Sequence, residues 1–213
     1  MFKRLVNLVL SGVIILGVSG TSGCIYVVTE RRVTRIPHVS RRVISWSEAD
    51  SGISQPKTLE EIARYQQACI KPSLETNYDD WKSAERTHKE GYGDCEDYAI
   101  SAAYFMERIG HDPLIMIFPA NAKQSGHAVA VFKKTKEDGV ERFGYIDNGI
   151  YGYPTYKSFK DVAEDLSKMN KRNWGVECAW KEYSVVNLKD INCDWRHGTE
   201  NLYKYFKNYV RTK

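Results

Sequence analysis

Gly93-Asp94-Cys95-Glu96-Asp97-Tyr98-Ala99 sets a cysteine between a glycine turn and the start of an apolar-periodic helix. The free N–H groups and positive dipole end of a helix N-terminus favour a thiolate, which lowers a cysteine's pKa. Tyr98, Ala99, Ala102, Phe105, Met106 and Ile109 recur at helical spacing, and Gly110 closes the helix. Two later segments supply what such a nucleophile needs. His127 opens the apolar run His127-Ala128-Val129-Ala130-Val131-Phe132, and Asp147 follows Phe143-Gly144-Tyr145-Ile146. Cysteine, histidine and then a carboxylate is the order of a nucleophile, its base and the group that orients the base.

Around this core the periodicity predicts helices first and strands later. Thr58-Leu59-Glu60-Glu61 is a capping-box pattern that starts a helix through about Ile70, ended by Pro72. A second helix is expected over Asp79 to Glu90, with Gly91 as its stop. Leu114 to Phe118, His127 to Phe132 and Glu141 to Ile146 read as strands, and Asp138-Gly139 between the last two is a hairpin signal. His127 and Asp147 then sit at opposite sequence ends of adjacent antiparallel strands, which is one end in space. A helix over Phe159 to Met169, a strand over Val176 to Leu188 and a terminal amphipathic helix over Glu200 to Val210 complete the expectation. No internal repeat or low-complexity block interrupts it.

The first residues read as a targeting signal. Lys3 and Arg4 form a positive n-region, Leu5 to Val18 is apolar, and small residues lead to Cys24. This resembles the lipobox of bacterial lipoproteins, which implies residues 1–23 as a signal peptide, Cys24 as the lipidated first residue, and residues 24–56 as a tether. The alternative is an uncleaved transmembrane anchor, since no charge falls between Arg4 and Glu30 and the segment can span an apolar layer of about 30 Å. Both readings put the body of the protein, residues 57–213, outside the cytoplasm. The formal net charge of +4 is mild and its basic residues are scattered, which excludes a nucleic-acid footprint; the cluster Arg31, Arg32, Arg35, Arg41 and Arg42 instead suits lipid headgroups or a solvated tether.

An oxidising compartment permits disulfides. With Cys24 lipidated and Cys95 a nucleophile, Cys69, Cys178 and Cys193 remain, and Cys178 with Cys193 closes a modest loop. A zinc site at Cys178, Cys193 and His197 is the weaker reading, because no Cys-x-x-Cys pair accompanies it.

Asp80-Trp81, the cysteine heptad with Ile100, His127-Ala128 and Ile146-Asp147-Asn148 together resemble the bacterial transglutaminase-like cysteine proteinases, whose LapG-type members are periplasmic proteases that clip surface adhesins. The resemblance covers about a third of the chain, Asp79 to Gly149. It implies an α+β, papain-like or transglutaminase-like fold with N-terminal helices and the nucleophile helix packed on an antiparallel sheet. It further implies a membrane-tethered cysteine endopeptidase with Cys95 as nucleophile, His127 as base and Asp147 as orienter. A protein substrate of the surface-adhesin kind and a regulatory membrane receptor belong to the same implication. Backbone N–H groups at the helix start would hold the oxyanion, a contribution often worth about 3 kcal/mol, with the Trp81 indole as a candidate second donor.

The acidic neighbours have two readings. Asp94 can cap the helix while Glu96 and Asp97 favour the dipole. Alternatively Asp94, Glu96 and Asp97 are calcium ligands, as the resemblance implies; hard oxygen donors suit that ion, although three fall short of its usual 6–8. Asp147, standing before Asn148-Gly149, also suits a plain turn former. The same triad can serve a transglutaminase or another acyltransferase, and a calcium- or partner-binding lipoprotein without catalysis is the reading from another class.

Overall fold

Helical residues come first and strands afterwards, so the chain builds a helical layer and then a sheet to lay it on. The computed structural model describes residues 46, 55–73, 80–120, 126–174 and 182–210. The proposed signal segment, most of the tether, Cys24 and Cys178 lie outside the described residues. Among the described residues no helix is long and apolar enough to cross a membrane.

Helix α1 spans Leu59–Cys69 and is capped by Thr58, whose side chain accepts from the Glu61 N–H. Glu61 in turn reaches back to the Lys57 N–H at 2.7 Å. Helix α2 covers Ala84–Glu90, shorter than expected at its start. Ser83 has an extended backbone, φ −65° and ψ 160°, and its side chain accepts from the Arg86 N–H, so it caps the helix and the chain before it lies outside; there the Lys82 N–H is taken by the Asp97 carboxylate. Gly91 stops it with φ 71°, as a left-handed C-terminal residue does. Two-residue strands β1, Lys71–Pro72, and β2, Tyr92–Gly93, pair in parallel directly after α1 and directly before the cysteine. Helix α3, Cys95–Arg108, is buried without interruption from Glu96 to Met106. An all-round buried helix is the central beam of the domain.

The sheet is five-stranded and antiparallel throughout. Strands β3 (Leu114–Phe118), β4 (His127–Thr135), β5 (Glu141–Asp147), β6 (Ile150–Tyr156) and β7 (Ser184–Asn187) lie in the order β6-β5-β4-β3-β7. Alternation along β4 divides the core: Ala128, Ala130 and Phe132 pack with α1 and α3, while Val129 and Val131 pack with Val162, Ala163 and Leu166 of helix α4, Phe159–Trp174. Helix α5, Tyr203–Val210, adds Phe206 to the first cluster. The expected α+β class, with the nucleophile helix on an antiparallel sheet, is the architecture observed.

Differences from the periodic reading have local causes. Helix α4 runs past Met169 to Trp174 because no Gly or Pro occurs before Gly175. Strand β6 was not expected, since Gly152 and Pro154 are poor strand formers. Both are explained by neighbours: a side chain at Gly144 would run into the Phe132 ring and one at Gly152 would lie 2.5 Å from the Tyr145 ring, and β6 is an edge strand that can spare a proline. The strand expected over Val176 to Leu188 is seen over Ser184–Asn187, its first half lying outside the described residues. The terminal helix starts at Tyr203 rather than Glu200.

His88 of α2 is interior, stacked on Trp46 at 5.3 Å and bonded through Nε2 to Ser101 Oγ at 2.8 Å. Burial holds its imidazole down to about 3, against an unfolded value near 6.5. The unfolded chain therefore binds a proton that the folded chain refuses between those limits. Its contribution is present above pH 6.5 and is lost as pH falls toward 3. His88→Gln, which keeps a neutral hydrogen-bonding group, is expected to flatten the fall of the urea midpoint between pH 6.5 and 4. An unchanged slope would remove His88 as its cause.

Candidate active site

Helix α3 and the central strand β4 meet at one end of the sheet. Cys95 is the first residue of α3, and its partly buried Sγ takes a hydrogen bond from the Ala128 backbone N–H, one residue from His127. His127 Nε2 lies 3.0 Å from Asp147 Oδ1, with both side chains largely covered. The strand register makes this possible: Ala130 pairs with Ile146, so the first residue of β4 and the last of β5 fall at the same edge. The Phe118 ring lies nearly parallel to the imidazole, 6.4 Å between centroids and 17° apart in plane, and limits its tilt.

Asp147 is carried into a tight turn. Asn148, φ 48°, and Gly149, φ 76°, both take the left-handed conformation, and Asp147 pairs with Ile150 across them. Asn-Gly is the preferred sequence for such a turn because its twist matches that of the flanking strands. Asp147 is thus both a turn neighbour and the partner of His127; the two readings of this residue are compatible.

The electrostatics around the thiol depart from the helix-dipole expectation. Burial pushes the Cys95 thiol well up, and the Glu96 and Asp94 carboxylates push it further, against the opposing Ala128 N–H. The thiol is neutral at rest and donates to Glu96 Oε2 at 3.1 Å. Glu96 is itself raised to about 7, chiefly by burial, and it also hydrogen-bonds Asp94. Asp94 occupies the N-cap position without bonding a helix N–H through its side chain, so the capping reading of this residue is corrected. Its carboxyl group is turned to Glu96 instead.

Asp97 is held elsewhere. It is fully buried, its Oδ1 accepts the Lys82 N–H at 2.8 Å and its Oδ2 lies 3.2 Å from Lys82 Nζ. Only glycine at position 93 permits this, because a side chain there would come within 2.6 Å of the Asp97 Cβ. Lys82 is only 2% exposed and also lies 3.5 Å from Glu90 Oε2 and 4.3 Å from the Tyr92 ring centre. Burial raises Asp97 to about 7, with Asp94 adding to the rise and the Lys82 ammonium opposing it. Asp94, Glu96 and Asp97 are therefore not presented as one trio of metal ligands, since both Asp97 oxygens already face Lys82. Among the described residues no group of three or more His, Cys, Asp or Glu is arranged to hold a metal ion.

Trp81 is a core residue, 3% exposed and stacked on Phe206 at 4.6 Å, and its carbonyl accepts from the Leu202 N–H. Cys69 and Cys193 are not joined in a disulfide. The free Cys193 runs against the expected bridge to Cys178, which lies outside the described residues. Lys82, Gln66 and Gln67 are part of the site's support and carry no sequence signal of it: a lysine after a tryptophan and a glutamine pair on a helix read as surface.

No family model matches this chain, and no curated protein matches it. Among solved structures it is similar to Legionella pneumophila LapG, at 23% identity and a TM-score of 0.37, over 49% of this chain and 62% of that one. The matched part is thus less than two thirds of that protein's length.

Proposed function

We propose that this chain is a cysteine endopeptidase that acts outside the cytoplasm on a protein substrate, tethered to a membrane through its N-terminal segment by Cys24 lipidation or an apolar anchor. The observation that carries the reading is the His127–Asp147 bond at 3.0 Å beside a thiol at the start of a buried helix. With Nε2 committed to Asp147, proton exchange with the thiol falls to His127 Nδ1. The imidazole takes the Cys95 proton as Sγ attacks the acyl carbon, then gives it to the leaving amine, leaving a thioester; water, deprotonated by His127, releases the acid and restores the thiol. Asp147 holds the tautomer and stabilises the imidazolium. Backbone N–H groups of the first turn of α3 supply the oxyanion donors. Because the resting thiol is raised, transfer to His127 must accompany attack or substrate binding rather than precede it. Calcium enters the test below and no step of the mechanism.

The test incubates the full chain, beside Cys95→Ala, with extracted cell-surface proteins and a labelled amine, with calcium or with chelator, and maps new N-termini by mass spectrometry. New termini that need Cys95 are the expected result. Label incorporated without new termini would replace hydrolysis by acyl transfer. Neither product would leave a binding role for this lipoprotein-like chain. A surface adhesin among the cleaved proteins would name the substrate class, and loss of cleavage with chelator would bring calcium into the account.

A further inference from the structure

One helix touches both halves of the site through two adjacent glutamines. The Gln66 amide donates to the Tyr98 carbonyl, in the first turn of the nucleophile helix, at 2.6 Å, and Gln66 is fully buried. Tyr98 returns the link, its hydroxyl donating to the Ile70 carbonyl at 2.6 Å at the end of α1. The next residue points the other way: the Gln67 amide donates to the Gly149 carbonyl at 2.8 Å, across 82 positions of sequence. Adjacent residues on a helix lie about 100° apart, so a Gln-Gln pair can reach two different neighbours.

The contact with Gly149 is close as well as polar. A side chain at Gly149 would meet the Gln67 Cγ at 2.9 Å and the Ala63 carbonyl at 3.3 Å, so the turn lies against the α1 backbone. Asn148 and Gly149 both hold left-handed conformations, which a turn keeps more readily when its far side is seated. Through the parallel bridge of Lys71–Pro72 with Tyr92–Gly93, the end of α1 also fixes the residues just before Cys95.

We infer that α1 is the reference element of the catalytic centre and that Gln67 is a positioning residue: by holding the Gly149 carbonyl it sets the turn that presents Asp147, and through Asp147 it keeps the His127 proton on Nε2. This rests on the triad reading above. A displacement of about 1 Å at a reacting group costs on the order of a hundredfold in rate, so a support with no contact to substrate still has a measurable role. Gln67 is exposed enough that losing its bond leaves the fold intact, which separates positioning from stability.

The test uses the full chain, with Gln67→Met, Gln67→Glu and, as a control on the same helix, Arg64→Ala. Ring-nitrogen NMR of His127 reports the tautomer, and mass spectrometry of the Cys95 peptide reports its rate of alkylation by iodoacetamide at a single pH. Neither needs a protein substrate. Gln67→Met is expected to broaden or lose the Nε2–H signal and to slow Cys95 alkylation about fivefold, the scale of one net hydrogen bond. Gln67→Glu, which sets an acceptor against the Gly149 carbonyl, is expected to do more, and Arg64→Ala nothing, with thermal midpoints of all three near wild type. A wild-type tautomer signal and alkylation rate in both Gln67 variants would overturn the inference. Absence of proteolysis by wild type, with the Gln67 effects present, would overturn the protease reading alone.

Discussion

Cys95→Ala and His127→Ala are each expected to lower kcat/KM about ten-thousandfold on a peptide spanning a mapped cleavage site, and the double variant to lower it no further. Residues that act as one unit lose almost everything when either is removed. The resting thiol is raised by burial and by Glu96 and Asp94, so it cannot serve as a free thiolate and depends on an acceptor for its proton. In the proposed mechanism that acceptor is the His127 imidazole, which lies 3.0 Å from Asp147. Asp147→Asn keeps the turn and the strand pairing while removing the charge that stabilises the imidazolium, and is expected to cost a large part of the same factor. Losses that add in the double variant would mean that Cys95 and His127 act separately, and the mechanism would fail. Circular dichroism of each variant should match wild type, since Cys95 and His127 sit at element ends.

Lys82→Met is expected to be the most destabilising single change outside the apolar core, by about 3–5 kcal/mol, because removing one partner of a buried ion pair strands the other. Lys82 is 2% exposed and Asp97 fully buried, so solvent gives little relief. Asp97→Asn added to Lys82→Met is expected to recover much of the loss, because the amide oxygen still accepts the Lys82-position N–H at 2.8 Å and no charge remains. The pH dependence follows from the same geometry. Burial already raises Asp97 to about 7, and without the ammonium only the position-82 backbone N–H still opposes that rise. A carboxyl raised in the folded state favours folding below its unfolded value and loses that advantage as pH climbs through the folded one. The penalty of Lys82→Met is therefore larger at pH 8 than at pH 5. Urea midpoints at both pH values decide it; a loss near 1 kcal/mol and equal at both would show that the pair is not electrostatically important.

Much of the site was legible in short-range patterns. The Cys95 helix, the strands carrying His127 and Asp147, and their meeting at one end of an antiparallel pair follow from periodicities of 3.6 and 2, which belong to the chain itself. Less legible were the residues whose role depends on distant neighbours. Asp94 reads as a cap from its position, yet its carboxyl group turns to Glu96. Trp81 reads as a donor or as core with equal warrant, and stacking on Phe206 makes it core. Asp80 to Lys82 reads as helical from its neighbours, yet Asp97 takes the Lys82 N–H and Ser83 begins the helix.

The sequence by itself determined the order of helices and strands and which three side chains lie in the order of a thiol triad, because amphipathic period, turn chemistry and residue type are local properties. Only the tertiary structure decided the protonation of the thiol, the partner of Asp97 and the seating of the Asn148-Gly149 turn on α1. Those depend on desolvation and on contacts between residues tens of positions apart, 82 in the case of Gln67 and Gly149, and no local pattern encodes them.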